Sequence, residues 1–378
     1  MISRGPVLDI NQLVRERIRA AIAYRERVVR DTNAYRVIFS EGDFLPGLMV
    51  DRYSDILSIQ VLTQAMDSAS MRKTFVDELK LGLQPKVIVE RTDARIRKLE
   101  QLPEKESRVI WQNIAPGEDS SINPKSNDGG GNDHVSPDAL VRAGEPGSPS
   151  IAAQSAAGRV RASAPTQVET EFQMNSVRFL FDALAGQKTG AFLDQRENYA
   201  AAAQYARGEA LDVFCYQGGF CLHLAPKCQS VTGVDSSRPA LEMAEQNAAL
   251  NGREIEWIEA NAFDLLRDYS DTGKKYDCIV LDPPAFAKSK RELPTALRGY
   301  KELNLRALKM LRPGGILVTC SCSYHVSNAD LLEVVASGAL DSHRILRILE
   351  NRGQSKDHPS VLGIPETAYL KCLIFAVS

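Results

Sequence analysis

The sequence predicts an α/β protein whose larger part is a doubly wound, parallel central sheet, preceded by a small α+β domain. Two observations carry the larger part. After Gly186, apolar runs at residues 210–215, 231–234, 255–258, 278–281 and 316–320 alternate with helical patterns at 197–207, 239–251 and 296–311, as parallel strands with crossover helices require. The run 278–281 ends in Asp282-Pro-Pro, and two prolines end ladder pairing just where a strand of such a sheet opens on its ligand crevice. A third observation marks the small domain, where residues 35–90 read as short β-branched or aromatic runs separated by turn residues.

Length and composition set the frame. A chain of 378 residues holds more than one domain, and 44% hydrophobic with 25% charged residues is an ordinary globular mixture. No apolar run reaches the length of a membrane span, and residues 1–6 lack the apolar core of a signal peptide. Seven cysteines without metal-ligand spacing point to reduced thiols and a cytoplasmic setting. A net charge of −2 gives no global sign of nucleic-acid binding, so any basic surface has to be local.

In chain order, residues 9–30 form a helix with Asp9 or Asn11 as cap and Val14, Ile18, Ala21, Ile22 and Val29 at helical spacing. Arg15, Arg17, Arg19, Arg25, Arg27 and Arg30 make it basic. That is a solvated face or an RNA contact, and residues 1–32 are set apart as a basic amino-terminal helix. Strands at 35–39, 48–52, 56–62 and 86–90 and a helix at 70–81 build the small domain, residues 33–112, followed by a second basic cluster of Arg91, Arg95, Arg97 and Lys98. Residues 113–166 lack aromatic side chains and are rich in Gly, Pro, Ser, Asn and Asp. Such a segment cannot bury enough apolar area to offset its ordering entropy, so it is expected to be a disordered insertion. A hairpin at 168–173 and 177–181 is expected to complete the small domain, which thus takes in residues 167–184.

The domain from residue 185 to 378 opens its cofactor half with the strand 211–214, which runs into Cys-Tyr-Gln-Gly-Gly-Phe. There Gly218 and Gly219 permit a tight turn and close approach of a ligand. The strand 231–234 ends in Asp235, suited to a ribose diol. The third glycine of a dinucleotide fingerprint is missing, so a nucleoside without a pyrophosphate fits better, and S-adenosyl-L-methionine is the expected cofactor.

Several segments resemble the class I methyltransferases that make 5-methylcytosine in large-subunit ribosomal RNA. They are residues 186–196 (Gly-Gln-Lys-Thr-Gly-Ala-Phe-Leu-Asp-Gln-Arg), 214–220, Asp235-Ser-Ser, 282–290, Thr-Cys-Ser-Cys-Ser at 319–323, 31–53, Asp357-His-Pro and Tyr369-Leu-Lys-Cys. The resemblance implies a Rossmann-like class I methyltransferase domain acting on ribosomal RNA, with a homodimer left open. It places Phe192, Gln195 and Arg196 at the methionine end of the cofactor, with Arg196 on the carboxylate. Asp212, Tyr216 and Gly218 would line the strand-end loop, Asp235 and Ser236 would meet the ribose, and Asn261 with Ala262 would lie near adenine. The family's usual acid at position 261 is Asn here. Against the family pattern, an RNA-binding (PUA) domain before the first helix is missing from this sequence, and residues 113–166 are inserted.

Methylation at carbon 5 of a pyrimidine needs a nucleophile to add to the neighbouring ring carbon, and a cysteine thiolate serves. Cys320 and Cys322 end the strand next to that of Asp282, and strand alternation puts both on one face, so spacing does not choose between them. The resemblance matches Cys322 to the nucleophile. Asp282 would bind the base edge and the cofactor side of the crevice and assist at the ring nitrogen. Phe286 offers a flat surface, and Lys288, Lys290, Arg291, Arg298 and Lys301 offer charge for phosphates. Asp357 and His358 form a pair without an assigned role. Two other functions fit parts of the pattern: methylation of an exocyclic base nitrogen, which needs no cysteine, and RNA binding without catalysis on a retained cofactor fold.

Overall fold

The computed structural model describes residues 9–113, 168–184, 191–287 and 289–378. The expected disordered insertion, but for Asn113, lies outside these residues, as does Lys288.

The small domain begins with α1 (Ile10–Val28), whose cap is Asp9, accepting the Asn11 N–H at 2.8 Å. Strands β1 (Ala34–Phe39), β2 (Leu48–Tyr53) and β3 (Ile56–Val61), helix α2 (Ala69–Leu83), strand β4 (Val87–Glu90), helix α3 (Ala94–Leu99) and strand β5 (Arg108–Gln112) follow. The strands pair in chain order, β3 and β4 in parallel and the rest antiparallel. Val14, Ile18, Ala21 and Ile22 of α1 and Phe75 and Leu79 of α2 bury one shared core against Val37, Val50, Leu57 and Ile88. α1 is therefore part of this domain and not a separate basic arm. Its arginines are largely engaged: Arg25 is buried in an ion pair with Asp43, and Arg19 pairs with Glu78 at 2.8 Å. The second basic cluster is likewise turned inward in part, since Arg97 is buried beside Asp67 at 3.2 Å and Arg91 is buried.

The hairpin β6 (Glu169–Met174) and β7 (Val177–Asp182), which the sequence assigned to the small domain, forms its own two-stranded sheet and packs on both that domain and the larger one. Its alternating aromatics explain why. Phe172, Phe179 and Phe181 join a core that contains Tyr53 and Ala34 on one side and Tyr199 and Phe220 on the other, with the Tyr53 and Phe181 rings stacked at 3.8 Å. The hairpin is a wedge between two domains.

The larger domain contains β8 (Glu209–Val213), β9 (Ser230–Asp235), β10 (Glu256–Glu259), β11 (Tyr276–Leu281), β12 (Leu311–Ser321), β13 (Leu346–Arg352) and β14 (Lys371–Val377). Helix α4 (Arg196–Tyr205) precedes them, and α5 (Gly219–Leu224), α6 (Arg238–Leu250), α7 (Ala262–Asp271), α8 (Leu293–Met310) and α9 (Asn328–Asp341) lie between them. The sheet order is β10-β9-β8-β11-β12-β14-β13, and β14 runs antiparallel to both its neighbours. Strand alternation divides the apolar run of β11 between two cores. Cys278 and Val280 face Leu222 and Leu241, while Ile279 and Leu281 face Leu265, Leu303 and Leu308. The order reverses between β8 and β11, which is where such a sheet opens a crevice. Among the described residues no helix is long and apolar enough to cross a membrane.

Candidate active site

A cavity of about 380 Å³ opens there, over the carboxyl ends of β8, β9, β11 and β12, within the size range of small-molecule sites. Phe192, Gln195, Tyr216, Asp235, Ser236, Asp282 and Cys322 of the expected site residues line it, together with Asp194, Tyr199, Gly219, Pro283, Pro284 and Leu370.

On the cofactor side, the loop after β8 turns with Gly218 at φ +82°, and a Cβ at Gly219 would stand 2.5 Å from the Tyr199 ring, so the turn requires glycine there. Asp235 ties this loop down by accepting the Tyr216 N–H at 2.9 Å, and its other oxygen accepts the Ser237 N–H at 2.9 Å. The Phe192 and Tyr216 rings meet edge to face at 5.0 Å. An acid for a diol, aromatic rings and a glycine turn with no pyrophosphate cradle suit an adenosyl cofactor.

On the substrate side, Asp282 follows β11, and its carboxylate accepts a hydrogen bond from Gln195 Nε2 at 3.0 Å. Burial pushes the Asp282 carboxyl up to about 8, and the neighbouring Asp194 and Asp212 add to this. Cys322 sits just past β12 with its sulfur 3.9 Å from the Pro283 carbonyl. The structure separates the two cysteines that spacing left equivalent. Cys320 is fully buried opposite Cys372 in the sheet, and burial raises its thiol well above the usual range, whereas Cys322 lies beyond the last ladder pair and faces the cavity. The turn carrying Cys322 is bound to the loop carrying Asp282. Ser323 Oγ accepts the Phe286 N–H at 3.0 Å and meets the Tyr300 hydroxyl at 3.1 Å, and Ser321 donates to Tyr300 at 2.9 Å.

Other expected residues stand elsewhere. Arg196 does not reach the cavity: it is buried between Asp357, at 2.9 Å, and the Arg30 carbonyl, at 2.9 Å, because the Asp357 carboxylate claims its guanidinium. Asp212 is buried beneath the loop, where it accepts the Cys221 N–H at 3.1 Å, and burial pushes its carboxyl up to about 7. It braces the loop and does not line it. Gly218 is outside the cavity lining, and a Cβ there would stand 2.9 Å from the Trp257 ring. Asn261 caps α7 through the Phe263 N–H at 2.9 Å, which occupies its oxygen, and Ala262 is buried in that helix. Phe286 packs on Phe263 and Tyr300, at 5.9 and 4.9 Å, and offers no face to the cavity. Lys290 and Arg298 are exposed and outside the cavity lining, with Arg298 bonded to Thr295 at 2.9 Å.

Asp357 gains the role the sequence withheld. It accepts the Arg36 N–H at 2.8 Å as well as Arg196, while its carbonyl accepts Arg25 at 2.7 Å. Burial alone would raise its carboxyl, but His358, Arg196 and the Arg36 N–H together hold it well below the usual range. Asp194, Tyr199, Ser323 and Lys371 were passed over as site residues. Asp194, Ser323 and Lys371 stand inside segments that carried the resemblance, but a segment match gives no distances.

A doubly wound sheet with its one antiparallel strand next to the edge, and a nucleoside-sized cavity over its strand ends, defines a Rossmann-like enzyme for an adenosyl cofactor. The chain belongs to the S-adenosylmethionine-dependent methyltransferase family, whose model matches residues 156–376. Its cofactor is S-adenosyl-L-methionine. Curated relatives named ribosomal RNA large subunit methyltransferase I are similar along nearly all of it. That of Shewanella denitrificans is 36% identical, spanning 96% of this chain and 79% of the relative. That of Aeromonas hydrophila is 34% identical, spanning 97% and 81%. Among solved structures, a methyltransferase in complex with SAH superposes with a TM-score of 0.73 at 15% identity, covering 100% of this chain and 84% of that one. A SAM-dependent methyltransferase from Streptococcus mutans gives 0.72 at 16% identity, with coverage of 100% and 84%. These likenesses support the fold.

Proposed function

We propose that this methyltransferase makes 5-methylcytosine in large-subunit ribosomal RNA, with Cys322 as nucleophile and Asp282 as the carboxyl that holds a proton at the base. The carrying observation is a thiol and a carboxyl lining one cavity, the carboxyl pushed up to about 8 by burial. The names of the curated relatives support the RNA class.

Asp235 and Ser236 would hold the ribose diol, with Phe192 and Tyr216 beside the adenosyl group. When bound, the cofactor supplies an electrophilic methyl group, which C5 of the base takes up. The Cys322 thiolate gives an electron pair to C6 of cytosine, forming the S–C6 bond. The displaced ring electrons move through C5 and C4 to N3, where protonated Asp282 gives its proton, and an enamine nucleophilic at C5 results. After methylation the N3 proton returns to Asp282, the C5 proton leaves to water, and its electron pair restores C5=C6 and expels the thiolate. A carboxyl that ionises near 8 is still largely protonated at neutral pH, as this step requires.

Cys322→Ser should reduce turnover to background while cofactor and RNA still bind, whereas Cys320→Ser should retain turnover. RNA carrying 5-fluorocytosine should leave a covalent adduct on the wild-type protein, seen on a denaturing gel, and none on Cys322→Ser. Mass spectrometry of ribosomal RNA nucleosides with and without the gene should show loss of one 5-methylcytosine. Turnover that survives both cysteine substitutions would favour exocyclic-nitrogen methylation instead.

A further inference from the structure

We propose that Lys371 is a positioning residue for Cys322, its ammonium supplying the positive charge against which the sulfur becomes the attacking thiolate. The inference rests on the reading of Cys322 as nucleophile.

The cavity poses an electrostatic difficulty. Its lining carries three acids, Asp194, Asp235 and Asp282, and among the described residues no Lys, Arg or His. Even with Asp282 protonated, a thiolate formed there meets the carboxylates of Asp194 and Asp235, and an ordinary thiol is only a few per cent ionised at neutral pH. A cation fixed close behind the wall would favour the thiolate before any cofactor binds.

Lys371 is that cation. It opens β14, pairs in register with Ser321 of β12, and is buried at 8% exposure. Its Nζ donates to the Ser323 carbonyl at 2.7 Å and the Tyr369 carbonyl at 2.8 Å, so the ammonium is fixed under the turn that carries Cys322. Two of its three donors are used, and among the described residues it has no carboxylate within ion-pair distance. A lysine buried on two carbonyls is a poor device for stability, because desolvation works against its charge. Burial pushes this ammonium down to about 8, and Cys322 and Asp330 of α9 act to restore it. Electrostatic coupling is reciprocal, so the ammonium favours the thiolate by as much as the thiolate favours the ammonium. The phenols of Tyr300 and Tyr369 are also coupled to Cys322, and both are neutral at working pH.

The test measures alkylation of Cys322 by iodoacetamide from pH 6 to 10, quantified on the Cys322 peptide by mass spectrometry in the full-length protein. Lys371→Gln removes the charge but keeps an amide donor for the carbonyls. Its alkylation midpoint should rise by about one unit or more, with a roughly tenfold slower reaction at pH 7. S-adenosylhomocysteine binding should be unchanged by calorimetry, and kcat on RNA should fall with little change in KM. Lys371→Arg, which keeps a positive charge, should stay near the wild-type midpoint. An unshifted midpoint in folded, cofactor-binding Lys371→Gln overturns the proposal. Should Lys371→Gln not fold, Lys371→Met decides by the same readout, and if neither folds a raised midpoint in Lys371→Arg overturns it. Failure of the underlying reading looks different: the wild-type protein would form no Cys322 adduct with 5-fluorocytosine RNA, whatever the alkylation profile.

Discussion

Asp282, the proposed proton donor, is a side chain whose burial is costly to the fold. Its carboxyl ionises near 8 in the folded protein but near 3.9 in an unfolded chain. Between those values the folded state binds the extra proton, so this group's contribution is full below about pH 4 and is lost as pH rises through about 8. Asp282→Asn should therefore melt above the wild type at pH 8, with the difference closing by pH 4, and should lose turnover throughout. Calorimetric scans at the two pH values check the sign, and a variant that melts lower at pH 8 would show that the carboxylate is well solvated. The position of Asp282 at the crevice was readable from its place before two prolines. The choice between Cys320 and Cys322 was not, because both share a strand face and only the end of the ladder at Ser321 separates them.

At the scale of elements, the site is two loops held in register by one hydroxyl. Ser323 Oγ accepts the Phe286 N–H at 3.0 Å and the Ala287 N–H at 3.4 Å, linking the loop after β11 to the turn after β12. Ser323→Ala leaves both donors without that acceptor, which should lower stability by about 1–3 kcal/mol. Urea unfolding gives that figure, and the variant's kcat should fall more than its KM rises, since the distance between Asp282 and Cys322 is what loosens. Equal effects on both would mean that the latch serves substrate binding. The strands β8, β9, β11 and β12 were legible because continuous apolar runs between turn residues leave few alternatives. β13 and β14 went unread, and the hairpin β6–β7 was given to one partner where it packs on two. Alternation at Phe172, Phe179 and Phe181 reveals a buried face but not which neighbour buries it. Arg196 was misjudged for a similar reason, since its partner Asp357 lies far along the chain.

At the scale of the molecule, Asp357 is where the two domains meet. Arg25 and Arg36 come from the small domain and Arg196 from the larger, and all three converge on this one residue. Removing one partner of a buried ion pair strands the other charge, so Asp357→Ala should cost about 3–5 kcal/mol. The wild-type carboxyl is depressed, so its contribution is present above about pH 4, the unfolded value, and is lost as pH falls through the folded one. Urea unfolding at pH 7 and pH 3 should show a large gap at the first and a smaller one at the second. A constant gap would assign the effect to packing. The place of β14 reaches further, into biosynthesis. It follows every other strand described, yet it lies between β12 and β13 and carries Lys371 to the turn of Cys322. A nascent chain that has already made every other strand of the sheet therefore still has a gap where this strand belongs, and a product terminated before residue 371 should show neither a closed sheet nor a reactive thiol. On the proposed roles of Cys322 and Lys371, the thiol should gain its reactivity only once this last strand has been made and has paired.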